Sequence, residues 1–109
     1  MQITDTLKNA ILDMVFNYIS PDESLVFLFG SYATGKARVS SDIDIGLMCQ
    51  KDIPDNLFAR LRLKLAEDVQ TLREIQVLDF AKVSKDFKDI AMKEIKIWYK
   101  GKNFSKEIL

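Results

Sequence analysis

Histidine is absent from this chain. That one absence removes imidazole general-base chemistry, Ser-His-Asp and Cys-His nucleophiles, and the usual Cys/His zinc sites. Cysteine is nearly absent too. Cys49 stands alone, so no internal disulfide can form, and after the apolar Gly46-Leu47-Met48 it reads as a small buried hydrophobe rather than a reactive thiol. An excess of either charge is also missing: 16 Lys and Arg balance 16 Asp and Glu. The chain therefore has no bulk electrostatic means of wrapping a nucleic-acid backbone or an anionic bilayer, and neither nucleic acid nor membrane is expected as a stable partner. No apolar run approaches the roughly 18 residues of a membrane span. Met1-Gln2-Ile3-Thr4-Asp5 lacks the basic start and apolar core of a secretory signal. The expected location is the cytosol, and whatever chemistry exists must run on carboxylates, hydroxyls, Lys and Arg.

What is present suffices for one core. At 109 residues, 48% of them hydrophobic, the chain reads as a single domain over residues 1–109. The tail after Gly101, polar except for Phe104, Ile108 and Leu109, is expected to be either frayed or part of a contact surface. Charge is uneven along the chain. Residues 82–109 carry eight Lys against four acids, while residues 1–50 carry three bases against six acids. An anionic partner should meet the C-terminal part.

Ile3, Leu7, Ile11, Met14, Val15 and Tyr18 recur at three- and four-residue steps, which predicts an amphipathic helix over 3–19, closed by Ser20-Pro21-Asp22. Leu25-Val26-Phe27-Leu28-Phe29 is a continuous apolar run bounded by a turn and by Gly30, as a buried strand is. A helical turn or two from Tyr32 to Lys36, ended by Gly35, leads to Ser41-Asp42-Ile43-Asp44-Ile45-Gly46-Leu47-Met48, which alternates as a second strand. Phe58, Leu61, Leu65, Val69 and Leu72 form one stripe of a helix over 55–72, followed by a third strand over 75–80. From Ser84, an N-cap, a last helix puts Phe87, Ala91 and Trp98 opposite Lys85, Lys93, Lys96 and Lys100; a competing reading makes Ile95, Ile97 and Tyr99 a final strand. The fold class is α/β (α+β), in the order α-β-α-β-α-β-α.

The chemistry begins where the first strand stops. Gly30-Ser31 at a strand end, running into a helical turn, points backbone N–H groups and the Ser31 hydroxyl at whatever anion sits there. Taken alone this is an ordinary turn. Asp42 and Asp44, at i and i+2 of a strand, share one face roughly 6–7 Å apart at Cα, so their carboxylates can converge on hard divalent cations, with phosphate oxygens as further ligands. Two-metal phosphoryl or nucleotidyl transfer requires that arrangement. Two acids flanked by Ile43, Ile45 and Leu47 are also not where free surface charge usually sits. Gly-Ser, ten residues, then Asp-x-Asp should arise by chance in about one such chain in a thousand.

Leu28-Phe29-Gly30-Ser31, the nine intervening residues and Ser41-Asp42-Ile43-Asp44-Ile45 together resemble the signature of minimal nucleotidyltransferases of the DNA polymerase beta superfamily. Residues 75–100 are similar to that family's last strand and helix. Within the family the likeness is to the short MNT proteins encoded beside a HEPN-domain partner, often as antitoxins. The resemblance implies a polymerase-beta-like fold, a small mixed sheet flanked by helices. It also implies that Asp42 and Asp44 hold Mg²⁺ (or Mn²⁺), that Gly30 and Ser31 hold the triphosphate of ATP, and that an acceptor attacks the α-phosphorus with loss of pyrophosphate. In the MNT antitoxins the acceptor is a tyrosine of the small helical HEPN toxin, which adenylylation silences. Lys36 and Arg38, in the connection facing the cradle, either neutralise charge on the phosphates or are idle loop bases.

The chain departs from the family pattern at the third carboxylate, which normally lies on the last strand and helps deprotonate the attacking hydroxyl. Aligned through Leu78-Asp79-Phe80, that position is Gln76, whose amide can offer an oxygen to a cation but cannot take a proton. Glu74 shares the face of Gln76 one pleat earlier, whereas Asp79 projects from the opposite face. Three functions stay open: an active nucleotidyltransferase acting on a partner, an impaired MNT domain that neutralises a HEPN partner by binding, and an α/β domain whose acidic strand is accidental.

Overall fold

Thr4 starts the first helix, accepting the Leu7 N–H on its side chain at 3.2 Å. In the computed structural model, which describes residues 3–105, this helix, α1, runs Asp5–Val15 and buries Ile11 and Val15. A short 3₁₀ turn, Pro21–Glu23, leads into β1, Ser24–Phe29, whose six residues are all buried. One helical turn, α2 (Ser31–Thr34), follows, then β2 (Ile43–Cys49) and α3 (Asp55–Asp68). The chain continues through β3 (Ile75–Asp79), α4 (Lys85–Ala91) and β4 (Lys96–Lys100).

The four strands form one mixed sheet in the order β3-β2-β1-β4. β1 pairs antiparallel with both β2 and β4, while β2 and β3 are parallel. Period-two alternation sends Val26, Leu28, Ile43, Ile45, Leu47 and Val77 to one face, where they pack with Ile11 and Val15 of α1 and Leu61 and Leu65 of α3. The other face carries Leu25, Phe27, Phe29 and Met48, packed with Phe80, Met92 and Phe104. The sheet thus has a helix-covered side and a side only partly covered by α4 and the chain after β4. Cys49 is buried, at 8% exposure, and accepts a hydrogen bond from the Ser24 hydroxyl.

The structure corrects the last segment of the sequence reading. Ser84 does cap a helix, accepting the Phe87 N–H at 3.2 Å, but α4 ends at Ala91, and the competing reading of Ile95, Ile97 and Tyr99 as strand is the one found. β1 would otherwise present an open edge to solvent. Ile97, Trp98 and Tyr99 are strand-favouring residues, and pairing them with β1 outweighs the weak helical periodicity. Lys85 lies on α4 but Lys96 and Lys100 lie on β4, so the four lysines do not form one helical stripe. Leu72 is likewise no part of the α3 stripe: it lies beyond the helix and is fully exposed. Residues 101–105 pack down, with the Gly101 and Asn103 N–H groups donating to the Ser24 and Asp22 carbonyls, both at 2.8 Å, and Phe104 6% exposed. Ile108 and Leu109 lie outside the described residues.

Candidate active site

β1 ends at Phe29, and the chain turns at Gly30 with φ 72° and ψ −152°, a conformation glycine adopts without penalty. Space demands glycine as well, because a Cβ there would collide with the Asp44 Oδ2. The Asp44 carboxylate therefore lies directly against the Gly30 backbone, and the two halves of the motif meet in space. Ser31 opens α2, and the Thr34 hydroxyl donates to the Ser31 carbonyl at 3.3 Å. The first N–H groups of such a turn have no partner within it. Gly35, at φ 79°, closes the turn in the left-handed conformation.

Asp44 stands opposite Phe29 across the β1–β2 ladder, and Asp42 lies just before β2 begins. Both acids are half-buried, while Ile43 and Ile45, on the opposite face, are completely buried. The buried isoleucines fix the register, since a one-residue slip would send them outward and the acids into the core. Burial, first, and the negative charge of Asp42, second, hold the Asp44 carboxyl above its ordinary pKa. Two acidic side chains are thus kept together against their electrostatic preference, and among the described residues no ion pair neutralises either one.

β3 brings up the third side chain. Gln76 pairs with Asp44 in the parallel register, and its Nε2 donates to the Asp42 Oδ2 at 3.2 Å. The face assignment made from strand period holds for Asp79 too. It is buried away from this cluster, its Oδ1 accepting the Ala81 N–H at 3.0 Å and its other oxygen 3.8 Å from the Lys82 ammonium. Glu74 is exposed, and its backbone carbonyl accepts the Ile43 N–H at 2.9 Å. Among the described residues no three His, Cys, Asp or Glu side chains gather as a metal site, so Glu74 does not complete a carboxylate trio with Asp42 and Asp44.

Lys36 and Arg38 sit exposed on the connection from α2 to β2. The connection is pinned by the Arg38 N–H donating to the Ser41 Oγ at 2.7 Å and the Ser41 N–H donating to the Arg38 carbonyl at 3.0 Å. Among the described residues neither cation forms an ion pair with Asp42 or Asp44. The sequence reading missed an apolar cleft beside Gly30, formed where α4 packs Phe87 and Ile90 next to Phe29. A sequence signal existed in Phe87 and Ile90, three apart on one short helix, but only the fold shows that they flank the motif.

Comparison with known proteins agrees with this geometry. The family model "Polymerase beta, Nucleotidyltransferase" matches residues 14–103. The probable protein adenylyltransferase MntA of Haemophilus influenzae is 35% identical over 85 residues, covering 77% of this chain and 72% of that protein. A toxin–antitoxin crystal structure with AMP-PNP superposes with a TM-score of 0.69 at 26% identity, covering 85% of this chain and 73% of the other. The MNT antitoxin in complex with the tri-AMPylated HEPN toxin of Shewanella oneidensis gives a TM-score of 0.68 at 22% identity, over 90% of this chain and 74% of the other, which is a likeness of fold. With a glycine-serine turn seated on a paired-aspartate strand and the family model spanning nearly the whole sheet, the chain belongs to the polymerase beta nucleotidyltransferases.

Proposed function

We propose that this protein transfers AMP from ATP, with Mg²⁺ or Mn²⁺, to a hydroxyl of a small helical HEPN-type partner, as the antitoxin of a toxin–antitoxin pair. The observation that carries the reading is the seating of the Asp44 carboxylate on Gly30, with Asp42 and Gln76 beside it. The donor set fits a hard divalent cation: two adjacent carboxylates whose mutual repulsion is otherwise uncompensated. Asp42 and Asp44 would hold the cation, which supplies neutralisation of charge on the phosphates.

The protein's own groups have separate tasks. The Ser31 hydroxyl and the N–H groups at the start of α2 bind the β- and γ-phosphates, and Lys36 and Arg38, exposed on the connection to β2, neutralise charge on them. The acceptor oxygen forms a bond to the α-phosphorus as the bond to the bridging α–β oxygen breaks. Pyrophosphate leaves with that electron pair, and the acceptor's proton goes to a base. Gln76 cannot be that base. It orients Asp42 through its amide hydrogen bond, leaving Asp42, solvent or the partner to take the proton. The partner supplies the acceptor surface.

The test is transfer of label from α-labelled ATP to the cognate partner. Wild type should transfer it, and Asp42→Asn and Asp44→Asn should each lose at least about 10²-fold. Transfer that survives both substitutions would refute the reading. A second reading, an impaired domain that silences the partner by binding alone, draws on Gln76 standing where a carboxylate would complete the set. It predicts no transfer by wild type and partner binding that survives Asp42→Asn.

A further inference from the structure

β3 forms one edge of the sheet and β4 the other. An edge strand offers unpaired backbone groups, and lysine is a common guard against pairing with another chain. β4 opens and closes on exposed lysines, Lys96 and Lys100. β3, Ile75-Gln76-Val77-Leu78-Asp79, has no lysine and no proline. The directions of its backbone groups are fixed by β2. The Ile43 N–H donates to the Glu74 carbonyl and the Phe80 N–H to the Leu47 carbonyl, both at 2.9 Å. Strand period therefore turns the N–H and C=O of residues 74, 76, 78 and 80 towards β2, and those of Ile75 and Val77 outward. Among the described residues, no loop or cap hydrogen bond takes up these outward groups.

Beside the open edge runs a groove of about 820 Å³, walled by Ala59, Arg62, Leu63 and Ala66 of α3 and by Leu72. Leu63 is 55% exposed and Leu72 fully exposed, an apolar surface that packing within the chain does not use. Arg62 is exposed as well and, among the described residues, forms no ion pair. The groove leads to the carboxylates, because Gln76 lines it and donates to the Asp42 Oδ2 at 3.2 Å. An open strand edge, an apolar wall and an unpaired cation together fit an extended peptide that carries an acidic residue. A docked helix would leave the outward N–H and C=O groups buried without partners.

We infer that an extended segment of the partner adds to the sheet as a fifth strand on β3 and so delivers its acceptor hydroxyl to the carboxylates. The inference rests on the nucleotidyl-transfer reading above and adds to it where and how the partner docks. Gln76 stands opposite Asp44, so a residue facing Gln76 on the added strand lies two strand spacings, roughly 10 Å, from Asp44. A long side chain there shares the face of Gln76 and reaches back over it to the carboxylates. The neighbours of that residue turn to the other face, where Val77 packs with Leu61 and Leu65 of α3. There an apolar residue meets Leu63 and an acidic one meets Arg62.

Amide hydrogen exchange of the full chain, alone and with the purified HEPN-type partner, tests this directly. With partner present the Ile75 and Val77 amides should exchange at least about tenfold more slowly, because new ladder bonds protect them. Two variants test the energetics by calorimetric titration with the partner. Ile75→Pro removes one outward N–H at the first residue of an edge strand, where proline is tolerated. Leu63→Glu charges the groove at an exposed position. Each should weaken partner binding about tenfold, and Ile97→Glu on the β4 edge should change it less than about twofold. Mg-ATP binding within about twofold of wild type shows that each variant is folded with its carboxylates in place. Ile75 and Val77 amides that stay unprotected with partner present would overturn the added strand, as would partner binding indifferent to both variants. Protection that grows with the concentration of this chain alone would overturn it in favour of a second copy on the edge. Protected amides in a wild type that transfers no label from α-labelled ATP would leave the added strand standing and overturn the nucleotidyl-transfer reading.

Discussion

Gly30 couples the two halves of the motif through one backbone position. Its positive φ excludes most side chains, and the Asp44 Oδ2 occupies the place of a Cβ. Gly30→Ala should therefore destabilise the fold by about 1–3 kcal/mol and displace the Asp44 carboxylate. A denaturant melt would register the first effect and loss of Mg-ATP binding the second; a variant with wild-type affinity would show that the contact has no part in the site. Gln76 supports a sharper experiment. Its amide now donates to Asp42. Gln76→Asp would replace that donor with a third carboxylate able to accept a proton, and label transfer to the cognate partner should rise by about 10²-fold if the missing base limits the rate. If Glu74 serves instead, Glu74→Gln should impair wild type and Gln76→Asp should add little. No change in either variant would leave Asp42 or the partner as the proton acceptor.

Among the elements, β2 is where packing and chemistry are most tightly interlocked. Its residues on the face of Phe27 and Phe80 are Asp44, Gly46 and Met48, and at Gly46 a Cβ would collide with the rings of Phe27 and Phe80. Those rings meet edge-on at 4.8 Å, and Phe80 in turn abuts Phe29 and Phe87. Gly46→Ala should cost about 1–3 kcal/mol through overpacking, a fall of about 4–8 °C in Tm for each kcal/mol in a domain of this size. A Tm within 2 °C of wild type, roughly the effect of a surface substitution, would contradict the packing. The same interlock explains what was legible in the sequence. The family resemblance brought Gln76 to the site, and strand period alone placed Asp42 and Asp44 on one face, Ile43 and Ile45 on the other, and Asp79 on the face opposite Gln76. Those are local consequences of a two-residue repeat. β4 was harder to read, because Lys96-Ile97-Trp98-Tyr99-Lys100 becomes a strand through pairing with β1, some seventy residues earlier. The cleft was hidden for a related reason: Phe87 and Ile90 acquire meaning only when α4 folds back over Phe29.

On the scale of the whole molecule, neutrality conceals a division. The segment 82–109 carries eight Lys against four acids, and Lys93 and Lys96 are exposed beside α4 and at the start of β4. Charge reversal at both should slow association with an acidic helical partner and reduce the salt dependence of the on-rate, as rim charges do; binding indifferent to the change would leave these lysines without a role in the complex. The acidic site has its own global consequence. A ligand that binds only the folded state stabilises it by mass action, by about 2.7 kcal/mol at a hundredfold excess over Kd. For a domain of about a hundred residues that is a rise of roughly 10–20 °C in Tm. Mg²⁺ with ATP should produce such a rise in wild type. Asp42→Asn with Asp44→Asn should abolish it. The double variant should also melt higher than wild type when no cation is present, because burial, first, and the charge of Asp42, second, penalise the ionised Asp44 carboxylate. The two effects run in opposite directions in one thermal-shift series. A double variant that melts lower than wild type without cation, or still responds to Mg-ATP, would mean that the carboxylates are structural and that the cation binds elsewhere.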